Sequence, residues 1–341
     1  MKKIIVTGGS GFIGSNLVNY LIKKNFFVIN IDKLTYSSNN YNHKIRNRKN
    51  YKLLKLDIKN RDKLVSIIKK NKPRAIFNLA AETHVDRSID SPKNFIETNI
   101  LGTFSLLEAL RYLKRKGIET KLIHVSTDEV YGDVKKDIRS DENYRYQPSS
   151  PYSATKAGAD HLIKSYVRTY KLKALISNCC NNYGPYQFPE KLIPKMISNI
   201  FSNKELPIYA KGKNSREWIH VHDHCEALFR LYLKGKLGES YNIGSGKNLR
   251  NIDLVKKLLS MCKLINLKVG KKTKIKFVKD RPGHDFRYAI NSNKIFKQLK
   301  WKAKIDINEG LTSTILWYLQ NKEFLKRFSK KSYEKRLGLL T

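Results

Sequence analysis

The stretch IIVTGGSGFIGSNLV, residues 4–18, passes from a continuous apolar run through four glycines into an amphipathic segment. An apolar run of this length reads as a strand buried on both faces. Leu17, Val18, Leu21 and Ile22 then recur at three and four, the spacing of a helix. The turn between them satisfies G-x-G-x-x-G through Gly9, Gly11 and Gly14, and G-x-x-G-x-x-G from Gly8. Glycines at such a turn let backbone N–H groups approach a pyrophosphate at a helix N-terminus. On its own the motif is weak, because glycine-rich turns are common. Its setting between strand and helix makes it specific. So does Asp32, which closes the next apolar run (FFVINID, 26–32) about 20 residues on, where a carboxylate accepts from ribose hydroxyls. An acid there repels a 2′-phosphate and favours NAD+ over NADP+, although Lys33 follows it directly.

Outward from this loop, the first half alternates short apolar runs with longer amphipathic ones. YKLLKLDI (51–58), AIFNLA (75–80), KLIHVS (121–126) and LKALISN (172–178) continue the strands. SNLVNYLIKK (15–24), RDKLVSIIKK (61–70) and the long NFIETNILGTFSLLEALRYLKRK (94–116) read as helices. This is the rhythm of βαβ units on a parallel sheet. The expected class is α/β, a Rossmann-like doubly wound parallel sheet with a smaller C-terminal α/β substrate domain. After about residue 187 the rhythm breaks. A helix framed by prolines, a short strand and a glycine turn occupy 188–212, a helix covers 252–265, and a strand–loop–strand segment covers 274–290. Residues 321–341 are highly charged, either a surface helix or a tail. The expected division is 1–187 with about 217–246 for the dinucleotide, and about 188–216 with 247–341 for the substrate.

Composition bounds the function classes. The 341 residues are 40% hydrophobic and 28% charged, as in a folded globular protein. No run approaches the roughly 18 apolar residues of a membrane span. No secretory pattern is legible at the N-terminus, so a cytoplasmic protein is expected. Cys179, Cys180, Cys225 and Cys262 lack C-x-x-C pairing and zinc spacing, which suggests reduced thiols and no metal. The formal net charge of +39 invites a polyanion partner. The lysines are spread through every segment, however, and accompany an abundance of Asn and Ile. Compositional drift accounts for that better than nucleic-acid binding.

Further along, SSPYSATK (149–156) holds Tyr-x-x-x-Lys. The serines suit an N-cap with Pro151 at the first helical position. Tyr152 and Lys156 then lie at i and i+4 on one face. A free tyrosine, with a pKa of about 10, is only about 0.1% ionised at neutral pH. A nearby ammonium and an oxidised nicotinamide are the charges that lower it. In HVSTDEVYGD (124–133), Asp128 and Glu129 stand side by side after an apolar run. Neighbours on a strand point to opposite faces. The two carboxylates share one task only if the strand ends there; otherwise they simply close it.

TGGSGFIGSNLV, NLAAETHVDRSI, HVSTDEVYGD, PSSPYSATKAGADHL, NNYGPYQFPEKLIP and DRPGHDFRYAI together resemble the extended short-chain dehydrogenase/reductase family, within its nucleotide-sugar 4,6-dehydratase branch, over almost the whole chain. The resemblance implies bound NAD+ and a nucleotide-sugar substrate, dTDP-glucose before UDP-glucose. It implies that Tyr152, assisted by Lys156, takes the O4 proton as hydride leaves C4. Glu129 then removes the C5 proton, Asp128 protonates the departing C6 hydroxyl, and Thr127 hydrogen-bonds O4. An epimerase or a decarboxylase of the same family has no elimination for this pair to serve. A non-catalytic binding protein is the alternative of another class.

By the same resemblance Gly8, Gly11, Phe12, Ile13, Gly14, Asp32, Lys33, Leu34, Thr35, Asp57, Ile58, Leu79, Ala80, Ala81, Thr98, Tyr152, Lys156 and Asn182 fall at cofactor positions. Thr83, Thr127, Asn181, Lys191, Leu192, Pro207, Ile208, Tyr209, Arg216, Asn251, Asp280, Arg281, Pro282, Gly283 and His284 fall at substrate positions, Thr83 standing where relatives often carry serine. A homodimer is implied, joined by a four-helix bundle of the helix within 93–113, the helix after Pro151 and their symmetry mates. On a strand, His220, His222 and His224 would share one face, with Asp223 opposite, but they follow Arg216-Glu217-Trp218, where the resemblance implies a strand leading into a helix. The family has no metal there, and none is expected.

Overall fold

Lys3–Thr7 (β1) is buried along four of its five residues because both faces are covered. It pairs in parallel with Phe27–Asp32 (β2) on one side and Ala75–Asn78 (β4) on the other. In the computed structural model, which describes residues 1–38, 48–328 and 337–339, the parallel pairing continues outward. Tyr51–Lys55 (β3) joins β2; Lys121–Thr127 (β5) joins β4; Ala174–Cys179 (β6) joins β5; and Ser240–Ile243 (β10) joins β6. Among the described residues this makes a seven-stranded sheet in the order β3-β2-β1-β4-β5-β6-β10. The chain reverses its direction of winding between β1 and β4, so the crevice at their carboxyl ends is where such a sheet receives ligands.

Alternate residues of β1 feed opposite cores. Ile4 and Val6 pack with Leu17 and Leu21 of helix Phe12–Lys23 and with Leu228 and Leu231 of helix Val221–Lys234. Ile5 packs with Leu64, Leu106 and Ile163 from helices Arg61–Asn71, Gly102–Arg115 and Pro151–Tyr170. Burying each such side chain contributes about 1.5–3 kcal/mol. A third cluster lies outside this sheet. It joins helices Leu192–Phe201, Asn251–Leu264 and Ile307–Gln320 through Met196, Leu258 and Ile315. Two small sheets accompany it: Asn181–Tyr183 (β7), Ser215–His220 (β9) and Asn248–Arg250 (β11), and Leu206–Tyr209 (β8) with Ile275–Val278 (β12).

Several expectations meet a different structure. The long helix is interrupted: Pro92–Phe95 is α-helical, Ile96–Leu101 is a π-helix, and α-geometry resumes at Gly102. The wider turn directs Thr98 and Asn99 into the interior. Asn99 there clasps both the N–H and the carbonyl of Glu82 (2.9 and 3.1 Å) and reaches Thr155 (2.9 Å). The second strand of 274–290 is reduced to isolated bridges, Arg287 to Ser215 and Ile290 to Ser140. Ile290, Ile295, Leu299 and Trp301 pack into the core shared with β1, although they follow residue 247. At the histidines, the strand leads into a helix as the resemblance implies. His220 ends β9, whereas His222 and His224 lie on the helix that follows. Within 321–341, Lys322–Lys326 is a short helix, and 329–336 with 340–341 lie outside the described residues. Among the described residues no helix is long and apolar enough to cross a membrane.

Candidate active site

The glycine loop has no room for side chains where it turns. A Cβ on Gly8, which has φ +68°, would stand 2.7 Å from the Ala80 nitrogen, and one on Gly14 would stand 2.1 Å from the Gly8 carbonyl oxygen. At Gly11 the Gly8 carbonyl oxygen, at 3.3 Å, is the single atom of the described residues found within 4 Å of such a Cβ, so apart from that contact the loop is open as a cradle at the mouth of helix Phe12–Lys23. That cradle fits a pyrophosphate bound by backbone N–H groups and the helix dipole. Asp32 ties the loop to the end of β2. Its Oδ2 accepts from Ser10 N–H (2.9 Å) and its Oδ1 from Leu34 N–H (2.8 Å) and the Ser38 hydroxyl (3.3 Å). A carboxylate has about four acceptor positions, so capacity remains for a ribose hydroxyl.

The other expected cofactor residues surround the same crevice. Leu79, Ala80 and Ala81 follow β4, where Leu79 N–H donates to the Thr7 carbonyl (3.1 Å). Lys33 donates to Thr98 (3.1 Å), joining the end of β2 to the π-helix. Thr35 bonds Ser37 across the adjoining turn (3.4 Å). Asp57 caps the turn after β3 through Lys59 N–H (2.9 Å), and Ile58 lies buried against Gly102. Phe12 and Ile13 open the first helix and are half-buried. Asn182 departs from this group: its amide donates to the Cys180 carbonyl (2.9 Å) and its Oδ1 faces His224 Nδ1 (2.8 Å). Its side chain is thereby turned towards helix Val221–Lys234.

β5 ends at Thr127, and the chain turns at once into a 3-10 helix, Asp128–Tyr131. Thr127 caps that turn by accepting from Glu129 N–H (3.2 Å). The strand therefore stops where two neighbouring carboxylates must stop alternating. Asp128 is buried and Glu129 half-buried. Among the described residues nothing hydrogen-bonds Asp128 Oδ2 or Glu129 Oε2. Burial raises both pKa values, but their surroundings differ. Asp128 is pushed well up by burial, then by the charges of Glu129 and Glu217. Glu129 is raised by burial, against Arg281, Arg216 and Lys191, which favour its carboxylate. The proton shared by such a pair therefore belongs on Asp128.

Across from the pair, helix Pro151–Tyr170 begins with a reciprocal capping box between Ser150 and Ser153, with Pro151 in its first turn. Tyr152 and Lys156 follow one turn apart. Burial, and then Glu129, hold the Tyr152 phenol well above its usual range, and a hydrogen bond with Thr127 opposes this. The Lys156 ammonium donates to the Val125 carbonyl (2.8 Å) and faces His124 Nε2 (3.3 Å). A cation beside the phenol is what the site calls for, and an oxidised nicotinamide is one.

Glu129 opens onto a cleft of about 1200 Å³. Thr83, Asn181, Lys191, Leu192, Pro207, Ile208, Tyr209, Arg216, Asn251, Arg281 and His284 all line it. Lys191 reaches over to the Thr83 carbonyl (2.7 Å). Arg216 lies over the Tyr288 ring at 4.1 Å. Asp280 acts from behind, on His284 Nδ1 (2.6 Å), and Gly283, with φ +59°, makes the turn between them after Pro282. The sequence reading left out Asp86, whose two oxygens accept from Tyr209 (2.6 Å) and Arg281 (2.6 Å). It lies in the first turn of the short helix Val85–Asp90, and no local spacing shows that residues 123 and 195 positions away converge on it. The outer cleft also gathers Lys271, Lys272, Lys274 and Lys276, a basic mouth suited to a diphosphate.

A family model described as GDP-mannose 4,6 dehydratase matches residues 5–314. The dTDP-glucose 4,6-dehydratase of Escherichia coli is 45% identical, covering 99% of both chains, and that of Neisseria meningitidis is 44% identical at the same coverage. Among solved structures, the dTDP-glucose 4,6-dehydratase of Bacillus anthracis in complex with NAD superposes with a TM-score of 0.87 at 41% identity, covering 96% of this chain and 100% of that one. A UDP-glucose 4-epimerase of Thermotoga maritima reaches a TM-score of 0.84 at 27% identity, over 94% of this chain and 99% of that one. The fold is common to both activities, and the higher identity lies with the dehydratases. With its glycine cradle, its tyrosine and lysine, and its buried Asp-Glu pair, the chain belongs to the dTDP-glucose 4,6-dehydratase family of the extended short-chain dehydrogenases/reductases.

Proposed function

We propose that the protein converts dTDP-glucose to dTDP-4-keto-6-deoxyglucose, a hydro-lyase reaction that uses NAD+ and regenerates it. The observation that carries this reading is the asymmetric carboxyl pair after β5. The pKa of one member is pushed well up by burial and two other carboxylates, whereas three cations oppose the rise that burial imposes on the other. NAD+, when bound, accepts the hydride from C4 and returns it to C6. Tyr152 takes the proton of the O4 hydroxyl. The resulting 4-ketone acidifies C5, and Glu129 removes that proton. Asp128 gives its proton to the C6 hydroxyl, which leaves as water. Glu129 and Asp128 thereby exchange roles, and C5 is reprotonated from the site. Arg216, Arg281 and Lys191 answer the diphosphate with charge-assisted hydrogen bonds. An epimerase needs Tyr152 and Lys156 but gives the carboxyl pair no work.

Offered separately, dTDP-glucose is expected to be turned over with a kcat/KM at least about tenfold above that of UDP-glucose, the scale of discrimination by one buried methyl group. Equal or better turnover of UDP-glucose, measured by NMR of the product, would overturn the thymidine assignment.

The proposal includes a homodimer. Leu101, Phe104 and Tyr112, at i, i+3 and i+11 from the π-helix through helix Gly102–Arg115, are each more than 40% exposed. Such exposure is costly in water unless covered. Light scattering is expected to give twice the 39.6 kDa chain mass, and Phe104→Glu to give the single mass. A monomeric wild type at micromolar concentration would remove the dimer. A cytoplasmic setting belongs to the same proposal, supported by four buried free thiols; recovery in the periplasmic or secreted fraction would exclude it.

A further inference from the structure

Lys156 stands in the interior of the protein, and the two groups it touches, the Val125 carbonyl and His124, are both neutral. A buried ammonium needs an anion to stay charged. One turn further along the same helix is Asp160, with no exposure to solvent. Its Oδ2 accepts from Ser126 Oγ (2.7 Å), Tyr146 OH (3.1 Å) and Asn178 Nδ2 (3.3 Å). Those three donors favour its ionised form. Among the described residues nothing hydrogen-bonds its Oδ1, which faces His124 Nε2 at 3.7 Å.

A row of side chains fixes the other edge of His124. Thr7 Oγ1 donates to Asn78 Oδ1 (2.6 Å), which leaves the Asn78 amide N–H₂ to face His124 Nδ1 (3.0 Å). Nδ1 is then an acceptor, and the ring proton sits on Nε2, which stands 3.3 Å from Lys156 Nζ and 3.7 Å from Asp160 Oδ1. Thr7 is the last residue of β1, immediately before the glycine loop. The row therefore runs across β1, β4 and β5 from beneath the cofactor loop to Lys156.

We infer that Asp160 is the buried counter-ion that keeps Lys156 charged, with His124, set by Thr7 and Asn78, standing beside both groups. The inference rests on the proposed use of Tyr152 and Lys156 in C4 oxidation, and assigns Asp160 to neither substrate nor cofactor. Burial lowers the Lys156 pKa and raises that of Asp160, and each of the two is the first charge that opposes the shift of the other. The remaining groups near Lys156 and Asp160 stay neutral or are themselves cationic. Burial pushes the Cys179 thiol up to about 12 and keeps His124 unprotonated. The Tyr146 phenol is raised by burial and by Asp160, and Lys164 lies on the outer side of Asp160.

The test is the pH profile of C4 oxidation, read as single-turnover formation of reduced nicotinamide on the holoenzyme. Without the Asp160 charge, Lys156 loses its proton at lower pH. In Asp160→Asn the alkaline limb is expected to move down by about one pH unit or more, with a rate loss of about tenfold or more at neutral pH. Tyr146→Phe, which removes one of three hydrogen bonds to Asp160, is expected to move the limb in the same direction by less. A slower rate with the alkaline limb unmoved, or an unchanged rate, in folded Asp160→Asn that still binds NAD+ would overturn the inference. Should Asp160→Asn fail to fold, an unmoved limb in Tyr146→Phe would overturn it and a lowered limb would support it. The product of the wild-type reaction tests the dehydratase reading separately, since C4 oxidation also begins an epimerisation.

Discussion

Glu129→Gln is expected to oxidise dTDP-glucose at C4 and then stall, with kcat reduced by about 10²- to 10⁴-fold, the range of a lost general base. The amide keeps the shape of the side chain and leaves the backbone N–H that Thr127 caps, so the turn is retained. It cannot accept the C5 proton. Absorbance of reduced nicotinamide should therefore rise with substrate and persist, with no 6-deoxy product. The change also removes a charge that raises the pKa values of Asp128 and Tyr152. Both groups then lose their protons at lower pH, so oxidation is expected to extend to more acidic conditions. Normal turnover by this variant would exclude Glu129 as the base.

Tyr152→Phe is expected to fail one step earlier. Phenylalanine fills the same pocket against Phe95 and Val85, and its helix keeps the capping box that precedes it. NAD+ binding should survive, while both reduced nicotinamide and product fall by about 10²- to 10⁴-fold. The two variants divide the reaction: one is blocked before C4 oxidation and the other after it. Persistent reduced cofactor in Tyr152→Phe would contradict the assignment of the tyrosine.

What the sequence disclosed was local in space as well as in number. The glycine loop, the capping box before Tyr152 and Lys156, and the carboxyl pair at a strand end are each built within a few residues, so spacing alone specifies them. The π-helix was hidden because its apolar periodicity barely differs from that of an α-helix. Its purpose, to direct Thr98 and Asn99 inward, shows only against Lys33 and Glu82. Asp86, in the first turn of helix Val85–Asp90, was not visible as the clasp of Tyr209 and Arg281, which come from distant segments. Asn182 was turned aside by His224, whose own place depends on β9 ending at His220 rather than running on through the histidines. Lys271, Lys272, Lys274 and Lys276 are close neighbours in sequence, but their place at the cleft shows only in the fold, where β12 pairs with β8.

The most direct measurement is NMR of the product formed from dTDP-glucose in heavy water. A dehydration in which Glu129 removes the C5 proton predicts a 6-methyl group, a 4-ketone and one deuterium at C5. A product that retains its C6 hydroxymethyl group, or a 6-deoxy product with its original C5 proton, would contradict the account.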